Sequence, residues 1–524
     1  MPFRKSITEP SPDCFQPTEK YGIILIRVGE NIENGDHKKT VPAKAQQREE
    51  SILSFSEIIE TIDGFLWGWP LIVLLFGTHL FMTARTGFVQ KDIFKAIRLS
   101  VTKDPDVEGD VSQFGALTTA LSSTIGTGNI IGVGTAIAMG GPGSVLWMWL
   151  TGIFGIATKY SETLIAIKYR VKSEDGSMLG GAMYALDRGL NKKWLGIAFS
   201  SLAAICAFGI GCMVQANAVV TNARQNFASD ENSGRIMTYV TAVILCVVVG
   251  LVIIGGIKSI TRVSEMLVPF MAAFYVIGCI IILSMNADVL GETVMTIVTS
   301  ALSPRAAGGG FVGSTVATAC RYGFARGLFS NESGMGSAPL VASAAQTRNP
   351  KRQALVSMTG TFWDTVVVCL MTGLVLVSSI IKHPTIDGLS GNGAELTSLA
   401  FSMIPAIGVP ILVIGLVSFS FSTILGWYYY GERCAVYLLG EKVIKVYKIL
   451  WIVGIFVGSV TELNLIWNIA DLFNGLMAIP NIIAVLLLSK VIADETKKYA
   501  GVHIDDKDDT EIPTIKNSKK GVLA

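Results

Sequence analysis

Eleven runs of apolar positions divide the chain, most of them near the length of about 20 residues that a helix needs to cross a bilayer. They cover residues 64–84, 115–140, 144–168, 194–220, 236–257, 266–285, 308–345, 354–381, 399–427, 443–460 and 463–489. Trp67 and Trp69 open the first as interfacial anchors, and Gly140-Gly141-Pro142-Gly143 is a turn between the second and third. A weaker amphipathic piece, 289–302, is expected to lie flat at one surface.

Two of the runs depart from the pattern of a plain rod. From Val111 to Thr158 no residue carries a formal charge, so this stretch is solvated by lipid or by other protein. Yet residues 122–134 hold several hydroxyls, Asn129 and four glycines, and glycine disfavours helix by about 1 kcal/mol relative to alanine. An unpaired backbone group in lipid costs several kcal/mol, so irregular backbone here must line a cavity. The expected break is at Gly126-Thr127-Gly128-Asn129, and the seventh run, 308–345, carries a second within residues 326–339. A helix interrupted in midmembrane offers free N–H groups that suit a carboxylate and free carbonyls that suit a cation, and transporters of charged solutes use both. Close packing of helices also accounts for Gly126, Gly128, Gly132 and Gly134, but leaves Thr127 and Asn129 unexplained.

Composition agrees with the pattern. The 524 residues are 51% hydrophobic and 16% charged, with a mean hydropathy of +0.53, the balance of a polytopic membrane protein. The net charge of +2 matters less than its placement: alternating loops hold 20 basic residues on one side, from Arg85 to Lys448, against Arg224, Arg235, Arg305 and Lys382 on the other. The basic side is cytoplasmic by that bias, which places the C-terminus inside and the N-terminus outside. Residues 1–62 read as a polar tail without the apolar core of a cleavable signal, with an amphipathic stretch at 52–62. Residues 63–490 form the transporter domain, with halves at about 111–286 and 306–490, and 491–524 form a solvated cytoplasmic tail. The broken runs are the second and seventh and cross in opposite senses, as an inverted repeat requires.

Other classes are poorly supplied. The eight cysteines form no C-x-x-C pair, His79 is the one histidine inside a run, and no nucleic-acid patch is evident. An intramembrane hydrolase needs a base beside its serine, and His79 has no evident serine partner. A channel or structural membrane protein tolerates glycine-rich breaks, but would pass solute without saturation.

Four blocks carry a family likeness: TALSSTIGTGNIIGVGTAIAMGGPG at 119–143, GIGCMVQANAV at 209–219, GLFSNESGMGSAP at 327–339 and FSFSTILGWYYYGER at 419–433. Together they resemble the signature blocks of the alanine or glycine:cation symporter family, over roughly residues 64–489. The resemblance implies a secondary transporter, usually sodium-coupled, for alanine and glycine, and not an enzyme. Its implied fold is an all-α polytopic membrane protein with 11 transmembrane helices: a leucine-transporter-type 5+5 inverted repeat with discontinuous second and seventh spans, behind one extra helix. The long N-terminal extension departs from the usual pattern.

Carried onto this chain, the resemblance places the substrate carboxylate at the amides around Thr127 and Gly128, with Asn129 beside it. The ammonium then falls to carbonyls near Phe329 and Ser330 and to the side-chain oxygens of Gln215 and Asn331. Phe329 and Trp427 are the walls of a small side-chain pocket, although aromatics in spans also serve as packing, and Gln215 could join helices instead. Sodium would take carbonyls around Ser122 and Ile125 and hydroxyls of Ser422 and Thr423; the competing reading of such hydroxyls is a bond back to their own helix. A proton-coupled carrier of other small amino acids is the alternative, with Glu332, Asp364 and Asp471 as titratable candidates, unless Glu332 pairs with Arg321 or Arg326. Glu162 with Lys159 reads as a pair at the cytoplasmic end of a span. The expected partners are a small neutral amino acid, sodium and the lipid bilayer of the cell membrane, with no nucleic acid, no cofactor beyond sodium as coupling ion, and a monomer as the working unit.

Overall fold

The computed structural model describes residues 56–524 except 103, 105–106, 303–314, 384–392, 462–463, 516–520 and 524. The polar tail before Ser56 and Arg305 therefore lie outside the described residues. Among the described residues, apart from one short antiparallel hairpin, Val171–Lys172 with Met178–Leu179, the regular structure is helical.

A helix over Ser56–Arg85 enters first, and its second part is α1 (Trp69–Arg85). The short α2 (Ile93–Ser100) precedes the second run, which is broken as expected into α3 (Gln113–Thr124) and α4 (Ile131–Gly140). Gly141, at positive φ, turns the chain into α5 (Ser144–Lys168). Then come α6 (Lys193–Phe227), widened over Ala207–Met213, α7 (Glu231–Ile254), α8 (Gly256–Met285) and α9 (Leu290–Leu302). The seventh run is α10 (Val316–Asn331) and the single turn α11 (Pro339–Ala342). It is followed by α12 (Pro350–Lys382), α13 (Gly393–Ser402), α14 (Gly408–Leu439), α15 (Val443–Val460), α16 (Asn464–Leu487) and α17 (Ser489–Lys498).

Among the described residues eight helices are long and apolar enough to cross a membrane. The three expected spans that fall short are the two broken ones and α5, whose buried face carries Thr151, Thr158, Lys159, Ser161 and Glu162. Polarity is distributed as lipid demands. Helix α7 exposes Val243, Val247 and Leu251, and α8 exposes Phe270 and Ile277, whereas α3, α5, α12 and α14 bury their polar side chains at the centre. The central α14 packs its buried Tyr428 against Tyr447 and Trp451, with ring centroids of Tyr428 and Trp451 5.7 Å apart, and its Trp427 meets Tyr430 edge-on.

Three expectations need correction. The ninth run is not one helix over 399–427: α13 stops at Ser402, the chain reverses at Pro405 and Ala406 (φ 64), and α14 runs on to Leu439. It continues past Glu432 and Arg433 because these two charges pair at 2.5 Å and Tyr428 donates to Glu432, so neither is left bare in the helix. The sixth run begins ten residues earlier than its apolar core, at Gly256. The tail after Lys490 is not simply solvated. Pro513 O accepts from Lys172 N at 2.9 Å, Ile515 N donates to Lys172 O at 2.8 Å, and the buried Asn349 donates to Ile504 O and Asp506 O. Composition could not reveal this, because Lys172 and Asn349 stand far from these tail residues in the chain, Asn349 155 positions from Ile504. Deleting residues 501–524 should lower the melting temperature in detergent by a few degrees, since Asn349 loses two acceptors. Unchanged melting would show that the strap adds nothing to stability.

Candidate functional site

Helix α3 ends where three successive hydroxyls turn back on it. Ser122 and Ser123 donate to Thr119 O at 2.8 and 3.2 Å, and Thr124 to Ala120 O at 3.3 Å, which loosens the last turn. Ile125 and Gly126 are extended, and Thr127–Asn129 form one tight turn before α4. Asn129 closes this loop by accepting from Gly126 N at 2.9 Å. Its amide then donates to Asp364 Oδ1 at 2.7 Å, which turns Asn129 away from the break and onto α12, not toward a ligand beside Gly128.

The second break is built differently. Glu332 ends α10 in the left-handed region, and Gly334 and Gly336 follow at positive φ. Asn331 accepts from Ser333 N at 2.9 Å and so caps the break, pointing away from the cavity described below. Only one helical turn, α11, follows, so the freed amides are not gathered on a half-helix. They meet a carboxylate of the protein: Glu162 Oε2 accepts from Gly334 N, Gly336 N and Asn481 Nδ2 at 3.1, 3.2 and 2.9 Å. The Lys159–Glu162 pair, 3.2 Å apart and buried, thus sits beneath the second break and not at a helix end. Glu332 pairs with neither Arg321 nor Arg326: it accepts from Ser337 at 2.5 Å, while Arg326 faces Asp471 at 3.8 Å.

Both breaks open on one cavity of about 10 Å³, the space of a single water. Thr127, Gly128, Gln215, Phe329, Ser330, Thr423 and Trp427 line it; Asn129, Asn331, Ser122, Ile125 and Ser422 do not. Gln215 donates to Thr127 Oγ1 at 3.2 Å and to Ile210 O at 3.1 Å, and its buried Oε1 has no hydrogen-bond partner among the described residues. Thr423 Oγ1 lies 3.2 Å from Ile125 O and 3.0 Å from Phe419 O, which brings a hydroxyl of α14 against a carbonyl freed by the first break. The hydroxyls of Ser122 and Ser422 bond to their own helices, at Thr119 O and Phe419 O, both 2.8 Å away. Phe329 separates the cavity from an outer pocket lined by Asp63, Trp67, Arg326 and Asp471; the Arg326 guanidinium stands 5.9 Å from its ring.

Sequence reasoning names Asp364 and Glu332 only as titratable candidates for proton coupling, and misses Asn474. Asp364 is fully buried and holds both breaks at once, accepting from Asn129 on one side and from Ser330 Oγ at 3.0 Å on the other. Its signal was a carboxylate in an apolar run, which marks importance but not a partner. Glu332 lines the cavity itself, and so does Asn474 of α16, which carried no signal beyond an amide in a span.

Comparison with known proteins shows the family. Residues 52–513 match the sodium:alanine symporter family. An uncharacterized transporter of Haemophilus influenzae is 48% identical over 452 residues, 85% of this chain and 96% of that protein. The sodium/alanine symporter AgcS of Methanococcus maripaludis is 47% identical over 455 residues, 85% of this chain and 98% of its own length. The probable sodium/glutamine symporter GlnT of Bacillus subtilis is 35% identical over 453 residues, 84% and 91% of the two chains. The chain belongs to the sodium:alanine symporter family, and is a membrane transporter and not an enzyme.

Proposed function

We propose that this protein couples inward movement of sodium to uptake of small neutral amino acids, alanine and glycine, by alternating access. The observation that carries this reading is one small cavity in which the Gly126–Gly128 backbone, the unpartnered Gln215 Oε1 and the Thr423 hydroxyl beside Ile125 O converge. Once this cavity widens to admit an amino acid, the amides near Thr127 and Gly128 take the carboxylate, Gln215 with the backbone near Phe329 and Ser330 takes the ammonium, and Phe329 and Trp427 limit the side chain. Sodium takes neutral oxygens of Ile125 and Thr423, with Ser122 and Ser422 turning toward it on binding. An ion held there ties α14 to the first break and raises affinity for the amino acid, and by linkage the amino acid raises affinity for sodium equally. The likeness to a symporter named for alanine supports the substrate.

The proposed frame is eleven spans in the cell membrane, a 5+5 inverted repeat of the leucine-transporter type behind one extra helix, with the N-terminus outside, the C-terminus in the cytoplasm, and the monomer as the working unit. Uptake of radiolabelled alanine into proteoliposomes tests the coupling. Accumulation should follow an imposed inward sodium gradient and an interior-negative potential, which contributes about 2.3 kcal/mol per charge per 100 mV. Uptake indifferent to sodium would reject it. Thr423→Val should raise the half-saturating sodium concentration about tenfold or more, by removing one oxygen from the site. An unaltered sodium dependence would take Thr423 out of it. Proton coupling is the second reading, favoured by the position of Glu332 on the cavity wall. It requires uptake driven by a pH gradient alone and abolished in Glu332→Gln.

A further inference from the structure

We infer that Lys159 and Glu162 are resident counter-ions of the second break, standing where the first break receives a cation and a carboxylate from outside. This rests on the reading of the first break given above.

Any interruption of a helix bares carbonyls on one side and amides on the other, and each set favours the opposite charge. At the second break the bared groups are already satisfied by side chains three residues apart on α5. Lys159 Nζ donates to Glu332 O, the carbonyl at the end of α10, at 3.0 Å. Glu162 Oε2 accepts from the amides of Gly334 and Gly336 beyond it. The ammonium and the carboxylate lie 3.2 Å apart, at 2% and 0% exposure, and Asn481 of α16 bridges the assembly by donating to both Glu162 Oε2 and Gly334 O. The i, i+3 spacing puts both side chains on one face of α5, so a single element holds both sides of the break. At the first break, by contrast, Thr423 and Gln215 offer oxygens, and the carboxylate that reaches the loop, Asp364, is already engaged by Asn129 and Ser330.

The consequence concerns position. The break that Lys159 and Glu162 hold sets Phe329, Ser330 and Glu332, all on the cavity wall. They are positioning residues for the amino acid, whereas the Ile125 and Thr423 oxygens belong to the first break and α14. Disturbing the pair should therefore weaken binding of the amino acid and spare the ion.

The test compares wild type, E162D, E162Q, K159M and the charge-balanced K159M/E162Q in proteoliposomes, with folded protein quantified by size-exclusion chromatography. Each variant that folds should raise the half-saturating alanine concentration by about tenfold, E162D by less, while half-saturating sodium at saturating alanine changes less than about twofold. Where the single changes fail to fold, E162D and the balanced pair decide. Wild-type alanine affinity in the pair, or a loss confined to maximal rate in proportion to folded protein, overturns the proposal and leaves a merely structural ion pair. Sodium-independent uptake by the wild type would instead remove the reading of the first break, while the alanine comparison across variants still judges Lys159 and Glu162.

Discussion

Gly126→Val should abolish sodium-driven alanine uptake, by about 100-fold or more, while leaving a folded and monodisperse protein. A Cβ at this position falls 2.7 Å from Thr423 Oγ1 and 3.6 Å from Gln215 Oε1, so the new side chain occupies the space where the first break, α14 and α6 meet. The cavity there is about 10 Å³, and two further methyl groups fill it. The backbone does not demand glycine as it does at Gly336: φ of −141° is negative and extended, not left-handed. The loss therefore belongs to the site and not to the fold. A 100-fold loss corresponds to about 2.8 kcal/mol. Gly132→Ala is the control, because its Cβ meets nothing within 4 Å, and uptake there should stay near wild type. Near-normal transport by Gly126→Val would show that ion and amino acid bind elsewhere.

The same substitution at the second break should do the opposite. Gly336→Val is expected to lower folded yield and melting temperature sharply, because two costs combine. Gly336 has φ of 78°, where a β-branched residue is strained by about 1–2 kcal/mol. Its Cβ would also stand 2.8 Å from Asn481 Cγ and 2.9 Å from the Phe199 ring, and overpacking of that kind costs about 1–3 kcal/mol. A shift to relieve either contact pulls the Gly336 amide off Glu162. Thermal unfolding followed by size-exclusion chromatography reads this directly. A protein as stable as wild type would mean that the second break is loosely held, contrary to the network of Glu162, Asn481 and Lys159.

The contrast between the two glycines shows what could and could not be read in advance. That both runs break was legible, since glycines and hydroxyls crowded into an uncharged stretch leave backbone groups that lipid cannot satisfy. How each break is closed was not. Asn129 stands within one residue of the predicted carboxylate site, yet its amide is claimed by Asp364, 235 positions away. The part of the seventh run after its break is a single turn, and the amides freed there are taken by Glu162. Likewise the end of α14 depended on whether Glu432 and Arg433 found partners, and the polar tail looked solvated because its acceptors and donors lie on loops far along the chain.

Within the predicted cation site the same division holds. Ser122, Ser422 and Thr423 are equivalent as residue types, and each could bond to its own helix. Only Thr423 also reaches across to Ile125 O; the Ser122 and Ser422 hydroxyls return to carbonyls of their own helices. The amino-acid sequence alone determined the class of molecule, the places where regular backbone fails and the family, because these follow from local composition and from motifs contiguous in the chain. Tertiary structure alone decided which polar groups face the cavity and which are consumed in holding it open. A buried polar group takes the nearest available partner, and in this fold that partner stands on a helix distant in the chain.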